Sequence, residues 1–181
     1  MPILEDLDKI NWSQLYHAYG AASDVPVLFR QLLSKDKAIV DKAIYELFGN
    51  IWHQGTVYEA SAIAVPFLQE LLKLAEIDEQ TKKSLACLLA SMADGYHTKD
   101  GSYAMATRIA VEKELQLLFP YLSCEVPIVR ENVAGALNHY PQYVAETLPM
   151  LEKALASERD EEAKEKITEA IETLKSQQAK L

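Results

Sequence analysis

The sequence has few of the residues that interrupt or cross-link a chain. Its 181 residues include 6 glycines, 7 prolines and 2 cysteines, and 49% of them are hydrophobic. These contents exclude collagen-like and low-complexity chains and are sufficient for a buried core. Two cysteines make neither a disulfide framework nor a metal quartet, so we predict that Cys87 and Cys124 are free thiols.

Long hydrophobic segments are also lacking. The most apolar stretch, Ala62–Leu68, has seven residues and contains Pro66, whereas a helix needs roughly 20 apolar residues to cross a bilayer. The first eight residues, Met1–Asp8, carry three acidic side chains where a secretory signal has a basic start and an apolar run. We therefore expect no membrane partner and a cytoplasmic location.

Basic residues are fewer than acidic ones. The chain has 18 Lys and Arg against 27 Asp and Glu, which gives a formal net charge of −9 at pH 7. This is the wrong sign for binding a phosphate backbone, so no nucleic-acid partner is expected. A surface of this sign attracts basic proteins instead.

The sequence does contain a repeated helix–turn–helix pattern. Four times, an apolar helical segment is followed by a short polar turn and by a second segment whose apolar residues recur at helical spacing. Small and branched residues at such spacings let neighbouring helices pack closely. The stripes of the four second helices are Ile39, Ala43, Ile44 and Leu47; Leu85, Ala86, Leu88 and Leu89; Val129, Val133, Ala134, Ala136 and Leu137; and Ala163, Ile167, Ala170, Ile171 and Leu174.

The stripes, aligned at Ile39, Thr81, Val129 and Ala163, are 42, 48 and 34 residues apart. These spacings bracket the period of a HEAT-type helical pair, roughly 40 to 47 residues. The second helix VRENVAGAL (129–137), together with first helices that contain VPVL, VPFL and LPML, resembles HEAT repeats. The resemblance implies an all-α fold, an armadillo-like α-α superhelix of about four helical pairs.

Two longer segments are similar to a narrower group. WSQLYHAYGAASDVP (12–26) and IWHQGTVYEASAIAVPFL (51–68) resemble uncharacterised bacterial HEAT-repeat proteins. That group supplies no enzyme activity to carry over, and we expect neither catalysis nor a cofactor.

The repeats divide the chain into consecutive units of a single domain. Pro26 and Pro127 are expected to start helices, Pro66 and Pro149 are expected inside them, and a short helix is expected around Trp12–Tyr19. The predicted units are an N-terminal helix in 1–22, repeat 1 in 23–53, repeat 2 in 54–93, an inserted loop in 94–103, repeat 3 in 104–140, and repeat 4 with a C-terminal cap in 141–181.

In a stack of helical pairs, the connections between pairs lie along one edge. Four segments reach that edge here, 15–23, 49–58, 94–103 and 138–143, and we call them together the aromatic edge. They hold all 4 histidines, one in each segment, and seven of the 9 tyrosines. The candidate binding residues are His17, Tyr19, Trp52, His53, Gln54, Tyr58, Tyr96, His97, Lys99, Tyr103, His139 and Tyr140.

Several of these features have a purely structural explanation as well. Thr56 and Glu59 fit an N-cap and its capping box. Four aromatic residues outside the candidate set follow helical spacing, and packing over the rim of the core explains them equally well. They are Tyr16, Tyr45, Tyr121 and Trp12. The same explanation applies to the whole aromatic edge if no partner exists.

The functional prediction is a non-catalytic protein-interaction module or scaffold that binds a basic protein through the aromatic edge. One alternative is an immunity-type inhibitor of a toxin. Another is a small-ligand protein or enzyme with a pocket near His53 and His97, under a flap formed by 94–103. No metal site is expected, because no two histidines have the i, i+4 spacing that arranges a pair.

Overall fold

The computed structural model describes residues 2–97 and 99–179, with residues 2–4 described by their backbone only. The fold is mostly helical with few short strands, which confirms the all-α prediction. The α-helices in this part of the chain are α1 (Pro2–Leu7), α2 (Val25–Gln31), α3 (Lys37–Asn50), α4 (Glu59–Lys73), α5 (Glu79–Asp94), α6 (Gly101–Glu112), α7 (Pro127–Leu137), α8 (Val144–Ser157) and α9 (Glu161–Gln178).

Shorter elements connect the α-helices. The strands β1 (Tyr16–His17) and β2 (Gly20–Ala21) form one antiparallel hairpin, and β3 (Trp52–His53) and β4 (Thr56–Val57) form another. The 3₁₀ helices are Trp12–Gln14, Leu115–Ser123 and Pro141–Tyr143.

The helices pack in two layers. In one layer α5 lies between α3 and α7, and α7 also contacts α9. In the other layer α4 contacts α6, and the 3₁₀ helix Leu115–Ser123 contacts α8. Contacts between the layers join α2 to α3, α4 to α5, and α8 to α9, while α7 packs against Leu115–Ser123. The apolar face of each second helix is therefore covered by neighbours.

The apolar stripes predicted from the sequence form this core. Every member of the α5, α7 and α9 stripes is buried, and so are Ala43 and Leu47 of α3. The exceptions are Ile39, which is exposed, and Ile44, which is half-buried. Both lie on α3, which packs against α5 but has no preceding helix of its own layer.

Polar turn residues start the second helices, as the sequence predicts. Asp36 accepts the backbone N–H of Ala38 at 2.9 Å, and Asp160 accepts that of Ala163 at 3.0 Å. Asp78 caps α5 in the same way, and Pro127 is the first residue of α7. Each cap satisfies a donor that the first turn of a helix leaves unpaired.

A partly buried ion pair joins α7 to the turn between α8 and α9. Arg130 donates from Nε and Nη2 to both carboxylate oxygens of Glu158, at 2.6 and 2.5 Å, and from Nη1 to the carbonyl of Cys124. The guanidinium lowers the pKa of Glu158 to about 2. The two cysteines are unbridged, as predicted, and both are buried. No helix in the described residues combines the length and the apolar character that crossing a membrane requires.

Three predictions about the elements are wrong. The segment Trp12–Tyr19 is a short 3₁₀ turn followed by a hairpin strand, because Gly20, at φ +125°, reverses the chain. The inserted loop of 94–103 is shorter than predicted, because Asp100 accepts the N–H of Ser102 and α6 begins at Gly101. The first helix of the third pair, expected over VEKELQLLFPYLS (111–123), is instead the end of α6 followed by the 3₁₀ helix Leu115–Ser123.

Candidate functional site

The first three segments of the aromatic edge lie side by side, joined by backbone hydrogen bonds. Ala18 N–H donates to the carbonyl of Asn50 at 3.0 Å, which ties the first hairpin to the end of α3. Val57 N–H donates to the carbonyl of Tyr96, and Tyr96 N–H donates to that of Gly55, each at 2.9 Å. The sequence predicts this proximity from stacking, but it does not predict the hairpins that produce it.

The second hairpin turns through two residues in the left-handed region. Gln54 has φ 48° and Gly55 has φ 85°, the geometry of a tight two-residue hairpin loop. A Cβ on Gly55 would lie 2.8 Å from Cε1 of Tyr96, so the tyrosine ring lies directly on the glycine. Gly55 thus serves both the turn and the close approach of Tyr96.

Edge-to-face contacts link histidine and tyrosine rings along the edge. Tyr19 and His53 have centroids 5.4 Å apart with planes at 73°. His97 lies between Tyr58 and Tyr103, with centroid distances of 6.0 and 5.0 Å. The edge therefore carries two aromatic groups, one from the first two segments and one around His97.

The group around Tyr19 and His53 lines an open groove of about 360 Å³. Phe48 and Trp52 contribute an edge-to-face pair with centroids 6.0 Å apart and planes at 89°. Trp52 Nε1 is buried and has no acceptor among the described residues. The lining residues are Tyr19, Tyr45, Glu46, Phe48, Gly49, Asn50, Trp52, His53 and Gln54.

Four tyrosines are exposed on or beside this edge. The exposed fractions are 63% for Tyr16, 70% for Tyr19, 80% for Tyr45 and 52% for Tyr96. Sequence reasoning left Tyr16 and Tyr45 out of the candidate set. A signal for Tyr45 existed, since it is two residues from both Ala43 and Leu47 and so lies away from the buried face of α3.

Two predicted binding residues are buried, so their assignment is wrong. His17 Nε2 lies 2.8 Å from Asp24 Oδ1, and its Nδ1 accepts the N–H of Tyr19. Tyr140 is 2% exposed and donates its hydroxyl to the carbonyl of Arg108 at 3.0 Å. Burial raises the pKa of the Tyr140 phenol. Both side chains hold the fold together and are inaccessible to a partner.

His139 is also used by the fold, although it stays half-buried. Its Nε2 lies 2.7 Å from Asp94 Oδ1, and Lys166 approaches the same carboxylate at 4.0 Å. The hydrogen bond from His139 lowers the pKa of Asp94 most, and Lys166 lowers it further. Arg108 is a residue that the sequence did not single out. It donates to the carbonyls of Ala93 and Gly95 at 3.0 Å and so fixes the start of the connection from α5 to α6.

The remaining predicted residues divide between local structure and surface. His97 Nδ1 accepts the backbone N–H of Asp100 at 2.9 Å, so its ring organises the turn before α6. Gln54 and Lys99 are exposed. The predicted N-cap at Thr56 is wrong, because Thr56 lies in β4 and α4 begins at Glu59. Instead, Tyr58 N–H donates to Ser61 Oγ at 2.7 Å.

The groove that His53 lines does not include His97. The groove at His53 includes Tyr45 and Trp52, whereas His97 is enclosed by Tyr58 and Tyr103. Within 2–97 and 99–179, no three His, Cys, Asp or Glu side chains are grouped so that they could hold one metal ion.

Comparison with known proteins finds a solved structure with a similar fold. No family model matches the sequence, and no curated protein matches it. A solved structure that does match is the crystal structure of an engineered protein from the Northeast Structural Genomics Consortium. It is 23% identical with a TM-score of 0.61, and the match covers 86% of this chain and 64% of that one. This chain therefore spans less than two thirds of that protein.

Proposed function

We propose that the chain is a HEAT-type α-α superhelix of four helical pairs that acts as a non-catalytic protein-binding module. The paired packing of α2 with α3, α4 with α5, and α8 with α9 supports this architecture. In the third pair, α6 and Leu115–Ser123 together take the position of the first helix. A superhelix of this kind offers its inter-repeat connections as one continuous surface.

The observation that carries the proposal is the set of exposed tyrosines on the aromatic edge and immediately beside it. Tyr19, Tyr45 and Tyr96 are each more than half exposed, although their rings are large and mostly apolar. Tyrosine is enriched at protein interfaces because it supplies a large contact area and a hydroxyl at a low cost in conformational entropy. Such residues are frequent among those that carry most of the binding energy.

The charge of the chain favours a basic protein as the partner. The formal net charge is −9, so long-range attraction would steer a basic surface toward the module. His53 and His97 contact different tyrosine rings, and the groove at His53 does not include His97, which argues against a catalytic site assembled from the two histidines. A toxin inhibitor would be one protein of this class, and that identity stays a prediction, as does the cytoplasmic location.

A photo-crosslinking experiment in cells of the source organism tests the proposal. Benzoyl-phenylalanine is introduced separately in place of Tyr45, Tyr96 and Ile128. The first two positions are on or beside the aromatic edge, whereas the exposed Ile128 lies in the first turn of α7 at the opposite, turn-bearing edge. We expect one protein to be crosslinked from positions 45 and 96 and not from 128.

The crosslinked protein is then purified and its affinity measured directly. Tyr45→Ala should weaken binding at least tenfold, whereas Ile128→Ala should leave it unchanged. Equal crosslinking from position 128, or no loss of affinity in Tyr45→Ala, would move the interface away from the aromatic edge.

A further inference from the structure

The groove between Tyr19, Tyr45 and Trp52 has the composition of a cation-binding site. Its lining includes four aromatic side chains and one carboxylate, Glu46, and among these nine described residues there is no lysine or arginine. An aromatic ring attracts a cation through the negative charge of its face, and the attraction extends to about 6 Å from the ring centre. A neighbouring carboxylate adds to that attraction.

The rings form walls that are steeply inclined to one another. Phe48 and Trp52 meet at 89°, and Tyr19 and His53 meet at 73°. Tyr19 also lies close to α3, since a Cβ on Gly49 would be 3.8 Å from its ring. Rings in this arrangement can contact a planar group from more than one side.

Glu46 is only weakly engaged within its own helix. Its carboxylate lies 3.6 Å from Lys42 Nζ one turn earlier, and 74% of the Lys42 side chain and 37% of the Glu46 side chain are exposed to solvent. Exposed pairs of this kind contribute little to stability, so a partner cation can take the place of Lys42. A second carboxylate lies behind the groove wall, because Asn50 Nδ2 donates to Asp24 Oδ2 at 2.6 Å.

We propose that this groove binds an arginine side chain of a basic protein partner, with the guanidinium against the aromatic rings and paired with Glu46. Arginine fits better than lysine because the guanidinium is planar, stacks on aromatic faces and is weakly hydrated. The inference rests on the proposed function, since it specifies what the aromatic edge recognises in its partner.

Fluorescence of Trp52 measures the binding without knowledge of the partner. The probe is a capped glycine–serine peptide with three arginines, and the control peptide replaces each arginine with citrulline, which has a similar shape and no charge. Trp12→Phe removes the second of the 2 tryptophans, a residue buried against Phe29 and Phe67. Isothermal titration of the unsubstituted protein repeats the comparison if Trp12→Phe fails to fold.

The arginine peptide should bind saturably and at least tenfold more tightly than the citrulline peptide. Tyr45→Ala should weaken binding at least fivefold and Glu46→Gln about threefold. Glu172→Gln is the matched control for general attraction to an acidic protein, because Glu172 is exposed on α9. It should leave the affinity unchanged.

Three results would overturn the inference: no binding of the arginine peptide, equal binding of the citrulline peptide, or equal effects of Glu172→Gln and Glu46→Gln. The photo-crosslinking at positions 45 and 96 keeps the two proposals apart. If those crosslinks form and the arginine peptide does not bind, the edge binds a protein without an arginine in the groove. If no crosslink forms and the arginine peptide does not bind, both proposals fail.

Discussion

The two halves of the aromatic edge use the same residue types in opposite ways. In the half formed by the two hairpins and Tyr96, backbone hydrogen bonds join the segments, and Tyr19 and Tyr96 stay exposed. The other half consists of the connection from α7 to α8 and its contacts with α5 and α6. In this half, side chains rather than the backbone hold the segments together. There Tyr140 bonds to the carbonyl of Arg108 and His139 bonds to Asp94.

This difference shows where side chains remain free for recognition. A short antiparallel ladder satisfies its own backbone donors and acceptors, so the connection needs no polar side chain to hold it. A connection without a ladder must be held by side chains, and those become buried or paired. His17 is the exception in the hairpin half, because it pairs with Asp24.

The sharpest way to break the comparison is to truncate Tyr140 of the second half and Tyr45, which lies on α3 beside the hairpin half. Tyr140→Ala removes a buried ring and its hydrogen bond, and we expect a loss of about 3–5 kcal/mol in the free energy of unfolding. Tyr45→Ala removes a ring that is 80% exposed, and the expected change is within about 0.5 kcal/mol. Urea denaturation of both variants measures the two values.

Equal losses for the two variants would mean that Tyr45 also supports the fold. The claim that the hairpin half is free for binding would then be wrong. Tyr140→Phe refines the result, because it keeps the ring and removes only the hydroxyl, so its loss should be about 1 kcal/mol.

The second test acts on the backbone of the hairpin half. Gly55→Ala places a methyl group 2.8 Å from the Tyr96 ring, at a residue with φ 85°. Left-handed backbone costs an alanine roughly 1–2 kcal/mol and the ring must move as well, so we expect a loss of about 1–3 kcal/mol. The measurement is again the free energy of unfolding, together with the tyrosine ring signals in NMR.

Gly101→Ala is the matched control for this substitution. Gly101 is the first residue of α6, and a Cβ there meets nothing within 4 Å. The free energy of unfolding of the Gly101→Ala variant should stay the same or rise slightly, because alanine favours the helix. If Gly55→Ala also leaves stability unchanged, the tight turn does not hold Tyr96 in place.

Much of the helical packing follows from the sequence, because long helices repeat their apolar residues many times. The stripe Ala163, Ile167, Ala170, Ile171 and Leu174 is visible without a structure, and all of it is buried. The hairpins have strands of two residues each, which are too short to show the alternation by which strands are recognised. The Gln54–Gly55 pair resembles the Asn-Gly turn signal but is weaker.

Long-range contacts explain what the sequence does not predict about the edge. Tyr140 and Tyr19 occupy equivalent connections, and nothing local distinguishes them. Tyr140 is buried because Arg108, 32 residues earlier, offers its carbonyl. The segment Leu115–Ser123 has the apolar content of an α-helix but is a 3₁₀ helix, and Pro120 does not account for this, since Pro66 and Pro149 lie inside α-helices.

The smallest expected effect concerns the charge that holds the second half. Asp94→Asn keeps the shape of the side chain but removes its charged interactions with His139 and Lys166. Because the site is partly exposed to solvent, we expect a loss of only about 1 kcal/mol at neutral pH. Asp41→Asn is the control, since Asp41 pairs with Lys37 on the open surface, and its loss should be smaller still.

The pH dependence shows whether the charge of Asp94 is responsible. In the folded protein the pKa of Asp94 lies below its ordinary value of 3.8, so its carboxylate stabilises the fold at any pH above that value. This contribution disappears as the pH falls through the lowered pKa. The stability difference between the unsubstituted protein and Asp94→Asn should therefore shrink below about pH 3.8 in urea denaturation. A difference that stays constant down to pH 2 would mean that shape and packing, rather than charge, make Asp94 important, and the two halves of the edge would then differ less than their contacts indicate.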